Sequence, residues 1–259
     1  MATPSPSIAG KGMLFVTSRI SRPDVLDVPT YIKWYEEDHI AEVVETSGIN
    51  SARRFVHVDP KAEKPYLAMY ALDDLAFLLS DEFRKIRVQS DILPSPGIIY
   101  DLADVDVRYD NLVHVYDRTQ KGRGAAKALV VVASRLKEGV SPQDLDRWYR
   151  EEHCDLLSKN KSYLRTTRFK LAYARTNAQS RVLKGLAAST DELPPDPPTW
   201  LALHEFECDP DELDVPGLRQ LTASPLTEKV LSELDVHDVN IYRLANEFGN
   251  RDWFHGVDM

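Results

Sequence analysis

The chain repeats itself. Trp34-Tyr35-Glu36-Glu37-Asp38-His39 returns as Trp148-Tyr149-Arg150-Glu151-Glu152-His153, 114 residues later, and Arg54-Phe55 returns as Arg168-Phe169 at the same spacing. Upstream, Thr17-Ser18-Arg19-Ile20 pairs with Ala133-Ser134-Arg135-Leu136. Downstream, Tyr66-Leu67-Ala68-Met69-Tyr70 pairs with Trp200-Leu201-Ala202-Leu203-His204, but at a spacing of 134 residues. An internal repeat restricts the fold more than any local propensity does, because one structural unit must satisfy both copies. The change in spacing gives the second copy about twenty extra residues, among them DELPPDPPT at 191–199, whose prolines favour an extended loop.

Both copies read in the same order. Met13–Arg19 and Leu129–Arg135 are β-rich apolar runs, hence strands. A helix follows. In the second copy it opens at Ser141-Pro142-Gln143-Asp144, with a serine cap, proline at the first helical position and an acid three residues past the cap. In the first copy it opens near Asp27-Val28-Pro29. A second strand is expected at about 51–58 and 165–172, a third at 66–72 and 200–206, a weaker helix near 74–90 and 211–233, and a last strand near 104–109 and 236–243. The order β-α-β-β-α-β is the ferredoxin-like plan. One such unit leaves a sheet face uncovered, so the expected fold class is α+β: two ferredoxin-like repeats in one chain, packed sheet to sheet and closing into an intramolecular barrel with helices outside. The expected domains are an N-terminal arm at 1–12, a first half at 13–109, a linker at 110–127, a second half at 128–245 with a Pro-rich insertion at about 175–199, and a tail at 246–259 whose Trp253, Phe254 and His255 fold back onto the body.

Composition narrows the class of partner. With 259 residues, 43% apolar and 28% charged, the chain has the mix of a globular protein. A formal charge of −9 repels phosphate backbones and argues against nucleic acid. Lys121-Gly122-Arg123 is the one basic run and reads as a solvated linker. Cys154 and Cys208 make no metal-ligand spacing, and two cysteines in so long a chain fit a reducing, cytoplasmic location. MATPSPSIAGKG lacks the apolar core of a signal peptide, and no apolar run is long enough for a membrane span, so no membrane partner is expected.

A strand, a helix carrying WYxxxH and then a strand containing RF resemble the EthD-type branch of the dimeric α+β barrel superfamily, here in tandem form. The resemblance covers roughly 13–109 and 128–245. It implies a pocket for a hydrophobic small molecule, and activities that range over cofactor-free cyclases and monooxygenases of polyketide-like aromatics in secondary metabolism, isomerases and lyases, and haem enzymes. A fused pair supplies its own second half, which points to a monomeric pseudo-dimer.

Residues four apart on a helix are neighbours, so Tyr35 with His39 and Tyr149 with His153 point inward together, and the acids Glu36, Glu37, Glu151 and Glu152 fall on the wetter side. An inward histidine beside a tyrosine suits proton transfer, and a tyrosine hydroxyl can donate to the oxyanion formed. The same histidine can instead anchor helix to sheet, and the resemblance brings the catalytic reading of His39, His153, Tyr35 and Tyr149 level with that one. Trp34 and Trp148 flank them. On the third strands Tyr66 and Tyr70 share one face, as do Trp200 and His204; that face lines a ligand pocket or packs as core. Arg54 and Arg168 bind a substrate carboxylate or phenolate, or pair with acids at the barrel rim. Cys154 follows His153 directly and therefore points elsewhere, which excludes a Cys–His nucleophile pair. HExxH, GxGxxG and P-loop signatures are absent. The expected enzyme is a cofactor-free cyclase, isomerase or lyase working by acid–base catalysis. The alternatives are an oxygen-dependent monooxygenase, cofactor-free or haem-bound, and a non-catalytic carrier. The Pro-rich insertion is a candidate lid over one pocket.

Overall fold

The computed structural model describes residues 8–250 and Phe254. In the first repeat, β1 (Gly12–Ile20) leads to α1 (Val28–Lys33), a π-helical segment (Trp34–His39) and α2 (Ile40–Val44). Then come β2 (Ser51–His57), β3 (Tyr66–Leu72), a 3-10 turn (Leu75–Leu79), α3 (Asp81–Lys85) and β4 (Ala103–Tyr116). The second repeat runs β5 (Ala128–Leu136), α4 (Pro142–Trp148), a π-helical segment (Tyr149–His153), α5 (Cys154–Leu157), β6 (Tyr163–Arg175), α6 (Asn177–Leu183), β7 (Trp200–Phe206), α7 (Val215–Leu221), α8 (Pro225–Ser232) and β8 (Leu234–Gly249). The fold is α+β, and the strands are hydrogen-bonded in the closed antiparallel order β1-β3-β2-β8-β5-β7-β6-β4.

The repeat is preserved down to strand register. β3 lies between β1 and β2, with Val16 opposite Ala68. β7 lies between β5 and β6, with Val132 opposite Ala202, the equivalent pair. Helix starts follow their caps. Ser141 accepts from the Gln143 amide ahead of Pro142, and Asp27 accepts from the Thr30 amide; each cap is worth about 1 kcal/mol.

Three strands are longer than the sequence pattern suggests: β4 has 14 residues, β6 has 13 and β8 has 16. The segment read as a linker, 110–127, therefore begins in strand, and the tail from 246 does too. Compactness follows a different cut from the repeat. One unit gathers residues 8–112, 171–197 and 245–250, and the other gathers 113–170, 198–244 and Phe254. In the first unit the far end of β8 is held by Glu247 on Arg53 at 2.9 Å and by the Asn250 amide on the Asn50 carbonyl at 3.1 Å. In the second, the far end of β4 brings Tyr116 to within 6.3 Å of the Tyr163 ring. The weak helix expected near 74–90 is reduced to the 3-10 turn and the five-residue α3. Beyond it Val88 and Leu93 bury themselves from irregular backbone punctuated by Pro94 and Pro96, and Ile99 from a 3-10 turn (Ile99–Asp101).

The run Lys121–Arg123 is less free than a solvated linker. Lys121 pairs with Glu207, and its carbonyl accepts from Arg165 at 2.9 Å. Phe254 is fully buried 5.6 Å from the Phe169 ring. Trp253, His255 and the arm at 1–7 lie outside the described residues. Among the described residues no helix is long and apolar enough to cross a membrane.

Candidate functional site

The duplicated WY…H motif is not plain α-helix. The Ile40 amide bonds the Tyr35 carbonyl and the Cys154 amide bonds the Tyr149 carbonyl, five residues back in each case. Such π turns are rare and concentrate at functional sites. In an α-helix, positions five apart point about 140° away from each other. The wider turn brings them together. His39 stacks on Trp34 with centroids 5.0 Å apart, and His153 lies 4.1 Å from Trp148. Each histidine also meets its tyrosine edge-on, at 5.7 Å for Tyr35 and 5.2 Å for Tyr149. The acids are only partly solvated: Glu36 accepts from Arg54 and Glu152 from Ser224, whereas Glu37 and Glu151 are exposed.

In the second unit this turn forms one wall of a cavity of about 680 Å³, within the size range of small-molecule sites. Val130 and Val132 of β5, His204 and Phe206 of β7, and His237, Val239 and Ile241 of β8 form its floor, and α7 and α8 cover it. The pocket thus lies between the sheet and its covering helices. The alternating residues Leu129, Val131, Leu201 and Leu203 point to the other face of the same strands and are buried there.

Three histidines converge on this cavity: His153, His204 and His237. His204 sits 5.6 Å from His153, and its Nδ1 is 2.7 Å from Thr166 Oγ1, which is itself 2.7 Å from the Tyr163 hydroxyl. His153 Nδ1 is buried and has no hydrogen-bond partner. Burial, reinforced by His204, Arg168 and His237, holds the His153 pKa well below its ordinary value. Burial with Arg168 lowers His204 to about 3. Both rings are therefore neutral near pH 7. Burial raises the Tyr149 hydroxyl, which stays protonated. The Trp148 indole donates to Thr227 Oγ1 at 2.9 Å, fixing the motif against α8.

The first unit carries the same motif around a far smaller cavity, about 60 Å³. Tyr31, Trp34, Tyr35, His39 and Tyr70 line it, and Phe83, Ile86, Val88, Ile99 and Tyr100 fill the room that the other cavity keeps open. The insertion acts here: Lys184, just past α6, lines this cavity, and its Nζ donates to the carbonyls of Phe83, Arg84 and Ile86 at 2.8–3.0 Å. His39 Nδ1 is also buried without a partner, and burial with Lys184 nearby lowers its pKa to about 4.

The remaining expected residues lie apart from the cavity walls. Arg54 pairs with Glu36, and Arg168 pairs with Asp146 at 2.8 Å while lying over the Tyr149 ring at 4.1 Å. Both form the ion pairs that were the alternative reading. Tyr66 packs on Tyr31 at 5.0 Å, and Trp200 lies under Lys170 at 5.4 Å. Cys154 is fully buried, with its thiol pushed up to about 12, which fits its exclusion as a nucleophile. Sequence reasoning passed over Thr166, Thr227, Arg175 and Lys184, and gave His237 no partner. None lies in the repeated motif, and only packing shows what they face. Among the described residues no group of three or more His, Cys, Asp or Glu side chains is placed to hold a metal.

Solved structures share this α+β barrel fold. An anthrone oxidase-like protein superposes with a TM-score of 0.52 at 12% identity, covering 94% of this chain and 93% of its own. A candidate monooxygenase of Fusobacterium nucleatum superposes with a TM-score of 0.54 at 11% identity, covering 95% and 98%. At such identities the likeness is one of fold. In sequence, core atranone cluster (CAC) protein 1 of Stachybotrys chlorohalonatus is 23% identical over 198 residues, 76% of this chain and 82% of that protein. No protein-family model matches the chain.

Proposed function

We propose that the protein is an enzyme of secondary metabolism, an EthD-type tandem barrel, which works by acid–base catalysis on a hydrophobic, oxygenated, polyketide-like aromatic in the second unit's cavity. The observation that carries the reading is the unpartnered, neutral His153 Nδ1 on the wall of a 680 Å³ apolar chamber. His153 takes a proton from an activated carbon or a phenol. The resulting anion beside the imidazolium offsets the desolvation that depresses His153 in the empty site. His204 accepts from Thr166 at Nδ1, carries its proton on Nε2 and donates to the oxyanion. Apolar walls exclude water and hold the substrate in one reactive shape, so that the anion cyclises, isomerises or expels a leaving group. The relative from the atranone cluster supports the metabolic setting. This reading uses no resident cofactor and keeps the protein a monomer.

The fold neighbours favour a second outcome for the same anion: reaction with dioxygen, in which an activated CH₂ and O₂ give C=O and water. The experiment uses 1,8-dihydroxyanthrone with purified protein. Loss of CH₂ protons to deuterium under anaerobic conditions reports deprotonation, and oxygen uptake in air reports oxygenation. His153→Ala should lower exchange by about 10²–10⁴-fold. Exchange no faster than in buffer, with the probe bound and recovered unchanged, would leave a carrier instead. A Soret band in the purified protein would replace this reading with a haem enzyme.

A further inference from the structure

Six arginines are buried among the described residues, and five of them face a carboxylate. Arg53 meets Glu247, Arg54 meets Glu36, Arg108 meets Asp110, Arg165 meets Asp117 and Glu205, and Arg168 meets Asp146. Arg175 is the exception. It is 4% exposed, its Nε donates to Ser180 Oγ at 3.0 Å and its Nη1 donates to the Tyr109 hydroxyl, and no described carboxylate lies within ion-pair distance. Lys184 stands beside the same cavity, half-buried and bonded only to neutral carbonyls. Glu42, the acid that acts on it from a distance, is bonded to Arg87. The cavity wall contains Arg175, Lys184 and the unpartnered His39 Nδ1, and no aspartate or glutamate.

A buried guanidinium without a counter-charge is costly, and hydroxyls offset only part of that cost. We infer that the first unit's cavity is a binding site for a short-chain carboxylate, whose anion completes the charge of Arg175 and Lys184. The guanidinium fork matches a carboxylate in two-point geometry, and Leu14, Val16 and Val105 give its alkyl end an apolar seat. Size sets the class. An engineered cavity of about 150 Å³ holds benzene, so roughly 60 Å³ admits an acid of two or three carbons and excludes an aromatic one. Both cations come from the end of β6 and the insertion after it, which the first repeat lacks in its short β2–β3 connection. The insertion thus converts a cavity that shares the catalytic motif into a site for a different ligand, beyond the aromatic chemistry proposed above.

Calorimetric titration of the full chain with sodium acetate and sodium propionate, against acetamide at matched ionic strength, tests this. The expected result is saturable binding of one carboxylate per chain, none of acetamide, and at least tenfold weaker binding in both Arg175→Met and Lys184→Met. If Arg175→Met does not fold, Lys184→Met carries the comparison. Acetate binding no better than acetamide, or unchanged in the folded variants, overturns the assignment.

Discussion

His153 rests on Trp148, five residues before it, with ring centroids 4.1 Å apart. The π turn of Tyr149–His153 makes this contact by moving two residues that an α-helix would splay onto one face. Trp148 is in turn bonded to Thr227 on α8. The candidate base is thus positioned by a helix distortion locked to the cavity's cover.

Replacing His153 and His39 should have unequal effects. His153→Ala should lower turnover about 10²–10⁴-fold, while His39→Ala leaves it within about twofold, because only the second cavity has room for substrate. Steady-state rates, checked against the thermal midpoints of both variants, decide this. Equal losses in the two variants would contradict the assignment of the site to one half.

Filling the large cavity should block function without unfolding the protein. Ala223 lines the second cavity, and Ala223→Trp puts an indole where the substrate belongs. KM should rise at least tenfold while the thermal midpoint holds or increases, since the added ring buries apolar surface. An unchanged KM would place the substrate elsewhere.

Stability should fall in acid. Burial lowers His39 and His114 to about 4 and His204 to about 3, and depresses His153 and His237 as well. The unfolded chain has histidines near 6.5 and binds more protons below that pH than the folded chain does, so stability rises with pH through the window from about 4 to 6.5. His39, His114, His153 and His204 each contribute roughly 1 kcal/mol per pH unit there, and His237, which is exposed, contributes less. Denaturant midpoints measured from pH 7.5 to 4.5 should drop steadily, and a flat profile would mean these rings are solvated.

Thr166→Val should separate positioning from folding. It removes the oxygen that lies 2.7 Å from His204 Nδ1 and conserves volume. A stability loss of about 1–2 kcal/mol is expected for the unpaired nitrogen. Turnover should fall about tenfold or more as His204 loses its fixed tautomer. Thr166→Ser, which keeps the hydroxyl, should restore the rate, and failure to do so would mark Thr166 as packing only.

How far the sequence could be read follows from where each signal lies. The strand–helix–strand order, the Ser141 cap and the matched third strands were visible because propensity and periodicity act over neighbouring residues. Trp148, Tyr149 and His153 were legible as a set because duplication marked them against background, and His204 because strand alternation put it on one face with Trp200. The π turn was not, since no residue type demands it. Nor was the ion pairing of Arg54 with Glu36 and of Arg168 with Asp146 chosen over substrate binding, because both choices use the same residues.

By itself the sequence determined that one βαββαβ unit occurs twice and that each copy aims a histidine and a tyrosine inward, for these rest on local pattern and its repetition. The tertiary structure decided that the two copies differ. An insertion from the second repeat narrows the first unit's cavity to about 60 Å³ with Lys184 and Arg175, while α7 and α8 span 680 Å³ in the second. Cavity volume is what remains after distant segments have packed, so a motif can announce the residues of a site but not whether space is left for a ligand.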